Sequence, residues 1–231
     1  MKRSLASKIM IALDFPNADQ ARRLVEQLQG IPCWFKVGME LFYSEGPQIV
    51  RELKAAGHSV FVDLKLHDIP NTVKGAAASL TRLGADMFNV HAAGGMKMMK
   101  AAIEGAEEAA AGKSPAGASP SSRPLIIAVT QLTSTGQDML NEELGIPGTI
   151  EECVRKYAIS AQQAGLDGVV SSAREAAMIK QACGETFVTV TPGIRPAWSA
   201  KGDQHRVIAP KQALQQGSDF LVIGRPVTQA E

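Results

Sequence analysis

Short β-branched or apolar runs alternate with longer stretches rich in Ala, Leu and charge along this chain. That alternation predicts βα units, and so a parallel sheet carrying helices on its outside. Strands are predicted at 8–14, 34–39, 59–66, 87–91, 125–130, 168–171, 187–191 and 220–223, with helices near 17–29, 44–56, 70–83, 96–111, 149–165, 173–183 and 208–216. Gly30, Gly57, Gly84, Gly165 and Gly217 close helical stretches, where a C′ residue is wanted. Eight strands at this spacing fit a closed barrel better than an open doubly wound sheet. A dinucleotide-binding sheet would carry a glycine fingerprint after its first strand, and Asp14-Phe15-Pro16-Asn17 is not one. The expected fold class is α/β, a single (β/α)8 TIM barrel over residues 1–231. The closing helix is expected to be short or missing, because the last predicted strand runs into Gly224 close to the end of the sequence. Either the chain was shortened or the N-terminal segment covers that face.

Composition agrees with one barrel: 231 residues, 45% of them hydrophobic, can bury a large core. Balanced charge, 24 Lys+Arg against 23 Asp+Glu, argues against a nucleic-acid or anionic-membrane surface. Cys33, Cys153 and Cys183 are far apart and form no C-x-x-C pair, so reduced thiols in a cytoplasmic enzyme are expected. No apolar run has the length of a membrane span, and the basic N-terminus lacks the apolar core of a signal peptide. The stretch 112–124 is rich in Gly, Ser and Pro and reads as a flexible loop before the fifth strand; the other reading is an interdomain linker. The fragments on either side hold about four strands each, too few to close alone, which argues against the linker.

Catalytic groups of a parallel barrel come from the C-terminal ends of its strands. The third strand is the most informative. Side chains alternate with period two, so Asp63 and Lys65 share one face while Val62, Leu64 and Leu66 share the other. The apolar face must meet the helices, which turns Asp63 and Lys65 inward. Lys36 on the second strand can join them, and Asp14 ends the first. Buried charges are costly unless paired, so an acid-base cluster at the barrel mouth is expected, either as a structural ion pair or as a catalytic one. Gly224-Arg225 after the last strand offers a backbone N–H and a guanidinium where barrels often hold phosphate, with Arg195 on the same side. The polar segment 196–206 reads as a flap from which Gln204 reaches inward, or as an ordinary loop. His67 has the parity of Lys65, and His91 ends the fourth strand, but no histidines have metal-ligand spacing. Trp34 and Trp198 read as packing residues or flap anchors.

Six segments in order resemble the bacterial orotidine 5′-monophosphate decarboxylases. They are A-L-D-F around Asp14, F-K-V-G around Lys36, F-V-D-L-K-L-H-D-I-P-N-T over 61–72, V-T-Q-L-T-S over 129–134, T-P-G-I-R-P over 191–196 and I-G-R-P over 223–226. The resemblance implies that Lys65 protonates C6 of the pyrimidine as CO2 leaves, with Asp63 beside the substrate carboxylate. It implies a homodimer with shared active sites, Asp68, Ile69 and Thr72 entering from the second subunit. Lys36 and Asp14 would hold the ribose and Thr133 the pyrimidine ring. Gln204, Gly224 and Arg225 would grip the phosphate, with Arg195 nearby. Neither a metal nor an organic cofactor is implied, so fixed charge must stabilise the carbanion at C6. Two alternatives remain open at this point: a magnesium-dependent sugar-phosphate aldolase of the same barrel lineage, of hexulose-phosphate synthase type, and a non-catalytic nucleotide-binding barrel.

Overall fold

The computed structural model describes residues 5–112, 123–196 and 208–230. Eight parallel strands close into a barrel in sequence order: β1 (Ile9–Ala12), β2 (Trp34–Gly38), β3 (Ser59–Leu66), β4 (Met87–His91), β5 (Leu125–Val129), β6 (Gly168–Val170), β7 (Val188–Thr191) and β8 (Phe220–Ile223). Pairing of β1 with β8, Ile9 opposite Leu221 to Ile11 opposite Ile223, completes the ring. This is the (β/α)8 barrel expected from the sequence. Strand alternation sorts the core into two layers. Met10, Phe61, Met87, Ile127 and Val190 fill the barrel interior. Their chain neighbours Ile11, Val62, Phe88 and Ile126 face the helices. Phe61, Phe88 and Ile126 are all essentially inaccessible, each worth roughly 1.5–3 kcal/mol of burial.

The helices outside the barrel are α1 (Ala18–Gln27), α2 (Met39–Glu45), α3 (Gln48–Ala55), α4 (Pro70–Leu83), α5 (Gly95–Ala111), α6 (Ile150–Ala164), α7 (Ala173–Cys183), α8 (Pro210–Gln215) and α9 (Arg225–Thr228). Local chemistry starts most of the long ones. Asn17 accepts from the Gln20 N–H to cap α1, Thr149 with Glu152 and Ser172 with Glu175 form capping boxes, and Pro70 opens α4. The single helix expected over 44–56 is instead two. Gly46 at φ 68° turns the chain out of α2, and Pro47, with no N–H to continue that helix, stands at the start of α3. The α2 helix was not anticipated because it follows β2 with no intervening loop. Among the described residues the short α9, with Pro226 buried, follows β8.

A repeated device ties the barrel's N-terminal rim. The segments Gly84-Ala85-Asp86, Gly165-Leu166-Asp167 and Gly217-Ser218-Asp219 each end a helix and start an even-numbered strand. Each aspartate side chain accepts the N–H of the second residue of the preceding odd-numbered strand: Val60 on Asp86 at 2.7 Å, Ile126 on Asp167 at 2.7 Å, and Thr189 on Asp219 at 2.9 Å. Each also carries a cation at 2.6 Å, from Lys54, Arg123 and Lys180 respectively. The strands on both sides of 113–122 belong to the same ring, β4 pairing with β5 from Met87 opposite Leu125. Among the described residues no helix is long and apolar enough to cross a membrane, and the three cysteines are free and buried.

Candidate active site

Four charged side chains expected at the barrel mouth meet there in alternating sign. Lys36 Nζ lies 3.0 Å from Asp14 Oδ1 and 3.3 Å from Asp63 Oδ2, and Lys65 Nζ lies 2.7 Å from Asp63 Oδ1. Asp63 is therefore shared, one oxygen to each lysine. Lys36 is only 7% exposed, whereas the Asp14 side chain stands at the rim, 54% exposed. Burial works against the Lys36 ammonium, but the facing Asp63 and Asp14 carboxylates outweigh it and hold the group above the ordinary lysine value. Burial likewise works against the Asp63 carboxylate. Lys36 and Lys65, with hydrogen bonds from Lys65 and Asn89, outweigh it and hold the carboxyl below its usual range. Gly38 leaves the room this needs, since a Cβ there would sit 2.9 Å from Asp14 Oδ1 and 3.1 Å from Lys36 Nζ.

The strand that presents this pair is irregular. Val62 faces Phe88 and Leu66 faces Val90, so Asp63, Leu64 and Lys65 stand opposite the single residue Asn89. An excess of two residues keeps the in-out alternation, which is why parity still places Asp63 and Lys65 together. Lys65 adopts φ 53°, the one positive φ outside glycine among the described residues. A left-handed lysine costs roughly 1–2 kcal/mol. Asn89 meets it: Oδ1 accepts the Lys65 backbone N–H at 2.8 Å, and Nδ2 donates to Asp63 Oδ1 at 2.8 Å. Asn89 is absent from the residues expected in the site, although the sequence carries a signal for it, a polar residue at an inward position of β4 between Met87 and His91.

A cavity of about 950 Å³ opens above these groups at the C-terminal ends of the strands. Asp14, Lys36, Asp63, Lys65, Thr133, Arg195, Gly224 and Arg225 all line it. The ring order sets their relative positions. The acid-base array stands on β1 to β3, the guanidiniums follow β7 and β8, and Thr133 follows β5. Backbone pairing of Arg195 N–H to Ile208 O at 3.0 Å ties the described ends on either side of 197–207. Gln204, Trp198 and most of the expected flap lie outside the described residues.

Three expected site residues are not brought to the cavity within this chain. Asp68, Ile69 and Thr72 are exposed, and Asp68 Oδ1 accepts its neighbour Ile69's N–H at 2.6 Å. His91 packs on His67 with ring centroids 5.4 Å apart. Burial, then His67 and Lys65, push its imidazole below the ordinary value against the opposing pull of Asp63. Trp34 packs edge-on against Phe220 at 5.4 Å, a core contact.

A family model described as "Orotidine 5'-phosphate decarboxylase / HUMPS family" matches residues 7–231. The chain is 56% identical over 221 residues to the orotidine 5'-phosphate decarboxylase of Geobacillus kaustophilus (strain HTA426), covering 96% of this chain and 88% of that protein. Identity to the orotidine 5'-phosphate decarboxylase of Bacillus mycoides (strain KBAB4) is 51% over 227 residues, covering 98% and 92%. The crystal structure of orotidine 5'-phosphate decarboxylase from Lactobacillus acidophilus superposes with a TM-score of 0.83 at 39% identity, covering 96% of this chain and 92% of that one. A family match across almost the whole chain, relatives above half identity and the same closed barrel together establish that this chain belongs to the orotidine 5'-phosphate decarboxylase / HUMPS family.

Proposed function

We propose that this chain decarboxylates orotidine 5′-monophosphate to UMP and CO2, the last step of de novo pyrimidine synthesis. The observation that carries the reading is the Asp14–Lys36–Asp63–Lys65 array facing Arg195 and Arg225 across one cavity. A nucleotide laid across that cavity meets matching chemistry along its length. Its phosphate goes to Arg225 and the Gly224 backbone, with Arg195 beside it. Its ribose goes to Asp14 and Lys36, and its pyrimidine to Lys65 and Thr133. Loss of CO2 leaves an electron pair in an sp2 orbital at C6, orthogonal to the ring π system, so the ring cannot delocalise it well. The Lys65 ammonium stabilises that charge and then donates its proton to C6, forming the C–H bond as the C–C bond electrons become the new lone pair and then the bond. Asp63, beside the departing carboxylate, is relieved of like-charge repulsion as CO2 leaves.

The magnesium-dependent aldolase reading is less well supported. Lys36 already places a positive charge between Asp14 and Asp63, at 3.0 and 3.3 Å, where a divalent cation would have to compete with it. The named relatives above are decarboxylases. A non-catalytic barrel would have no need of a strained lysine at the cavity wall. Loss of orotidine monophosphate ultraviolet absorbance on adding the purified chain, undiminished by EDTA, is the expected result. No loss of absorbance refutes the reading, and a chain inert toward orotidine monophosphate that turns over a sugar phosphate only with magnesium favours the aldolase-type chemistry.

A cytoplasmic homodimer with shared sites completes the proposal. Asp68, Ile69 and Thr72 lie at the exposed start of α4, and Ile69 is 66% exposed, an apolar side chain suited to burial against a second copy. Mixing an inactive Asp68→Ala variant with an inactive Lys65→Ala variant should restore part of the activity through hybrid dimers. Absence of rescue after demonstrated subunit exchange would contradict the sharing.

A further inference from the structure

We infer that Asn89 is a positioning residue for this reaction, fixing both the backbone turn at Lys65 and the orientation of the Asp63 carboxylate. The inference rests on the proposed roles of Lys65 and Asp63. Three residues of β3 stand opposite Asn89 alone, so the Lys65 N–H has lost its regular ladder partner. The side-chain carbonyl of Asn89 takes that place at 2.8 Å and holds Lys65 at φ 53°. Its amide nitrogen, also at 2.8 Å, donates to the same Asp63 oxygen that receives Lys65 Nζ at 2.7 Å. The other Asp63 oxygen faces Lys36 at 3.3 Å. With both oxygens engaged, the carboxylate plane cannot turn without breaking a contact to a charged partner.

The chemistry of residue 89 is narrow. One end must accept from an N–H and the other must donate to a carboxylate, which an amide of this length does in one orientation only; the flipped amide would set donor against donor and oxygen against oxygen. Aspartate keeps the acceptor for Lys65 and loses the donor for Asp63. Leucine keeps much of the volume and loses both. Asn89 is 1% exposed and stands on β4, away from the arginines that follow β7 and β8. Its loss should therefore affect the chemical step and spare binding.

The test compares the wild-type chain with Asn89→Asp and Asn89→Leu in three measurements: steady-state decarboxylation of orotidine monophosphate, calorimetric binding of UMP, and thermal unfolding. Misplacement of reacting groups by about 1 Å costs on the order of 100-fold in rate, so kcat should fall by about that factor in both variants. KM and UMP affinity should change little. Variants that unfold at lower temperature yet keep wild-type kcat would overturn the inference, because a purely structural residue behaves that way. Should both fail to fold, Asn89→Ser is the third variant, and loss of folding in all three likewise makes the residue structural. A wild-type chain that leaves orotidine monophosphate untouched fails the proposed function itself; an active wild type with equally active variants fails this inference alone.

Discussion

Replacing Asp63 with asparagine preserves shape and removes one charge at the centre of the array. The carboxylate takes three contacts: Lys65 at 2.7 Å, Asn89 at 2.8 Å and Lys36 at 3.3 Å. Hydrogen bonds to a charged group contribute about 1.5–3 kcal/mol and neutral ones about 0.5–1.5, so each contact loses close to 1 kcal/mol. The asparagine amide must also turn one N–H toward a donor, and Lys36 keeps only Asp14. A loss of about 3 kcal/mol follows, at the lower end of the cost of breaking a buried pair. Solvent screening changes this little, because the Asp63 and Lys36 side chains are 13% and 9% exposed. For a chain of this size the melting temperature should drop by roughly 6–12 °C. The pH dependence supplies a second, sharper reading. The Asp63 carboxyl is held below its unfolded value, so its contribution is complete above about pH 3.9 and vanishes as pH falls through the folded value. Lys36 is raised, so its contribution is complete below about pH 10.4 and is lost as pH rises through its folded value. Differential scanning calorimetry of wild type and Asp63→Asn from neutral to acid pH should show a gap that closes as Asp63 titrates. A variant as stable as wild type at pH 7, or a gap unchanged in acid, would refute the electrostatic account of the array.

Lys65→Ala should abolish measurable turnover while UMP binding survives; near-normal turnover in that variant contradicts the proton-donor role proposed for Lys65. Arg225→Ala should lower kcat/KM by roughly 10- to 100-fold through loss of a charge-assisted phosphate contact, and unchanged kinetics would remove the phosphate assignment. Asp219→Asn should destabilise by about 1.5–3 kcal/mol without altering KM, because its Lys180 and Thr189 contacts lie at the opposite rim from the cavity. A KM change in that variant would contradict the separation of the stabilising and catalytic faces.

Much of the site was legible because strand parity is a local property. Phe61, Asp63 and Lys65 are inward on β3 for the same reason that Val60 and Val62 meet the helices, and the apolar spacing alone says so. The fifth to eighth strands could be ordered the same way, and the residues after them placed at one end of the barrel. The helix break at Gly46-Pro47 is equally local, a positive-φ glycine followed by a residue with no N–H. The shared use of Asp63, by contrast, depends on three strands meeting in one register, which no local window contains.

The sequence by itself determined the count and order of the βα units, the inward face of each strand, and which end of the barrel would carry charge, because period-two alternation and helix-ending glycines act over a few neighbouring residues. Only the tertiary structure decided that Asp63 divides its oxygens between two lysines, that β3 carries two extra residues opposite β4, and that Asn89 fills the gap and holds Lys65 in a left-handed turn. Apart from the Lys65–Asp63 contact itself, those features arise from contacts between residues two dozen or more positions apart, where barrel closure sets distance and direction and no periodicity along the chain records them.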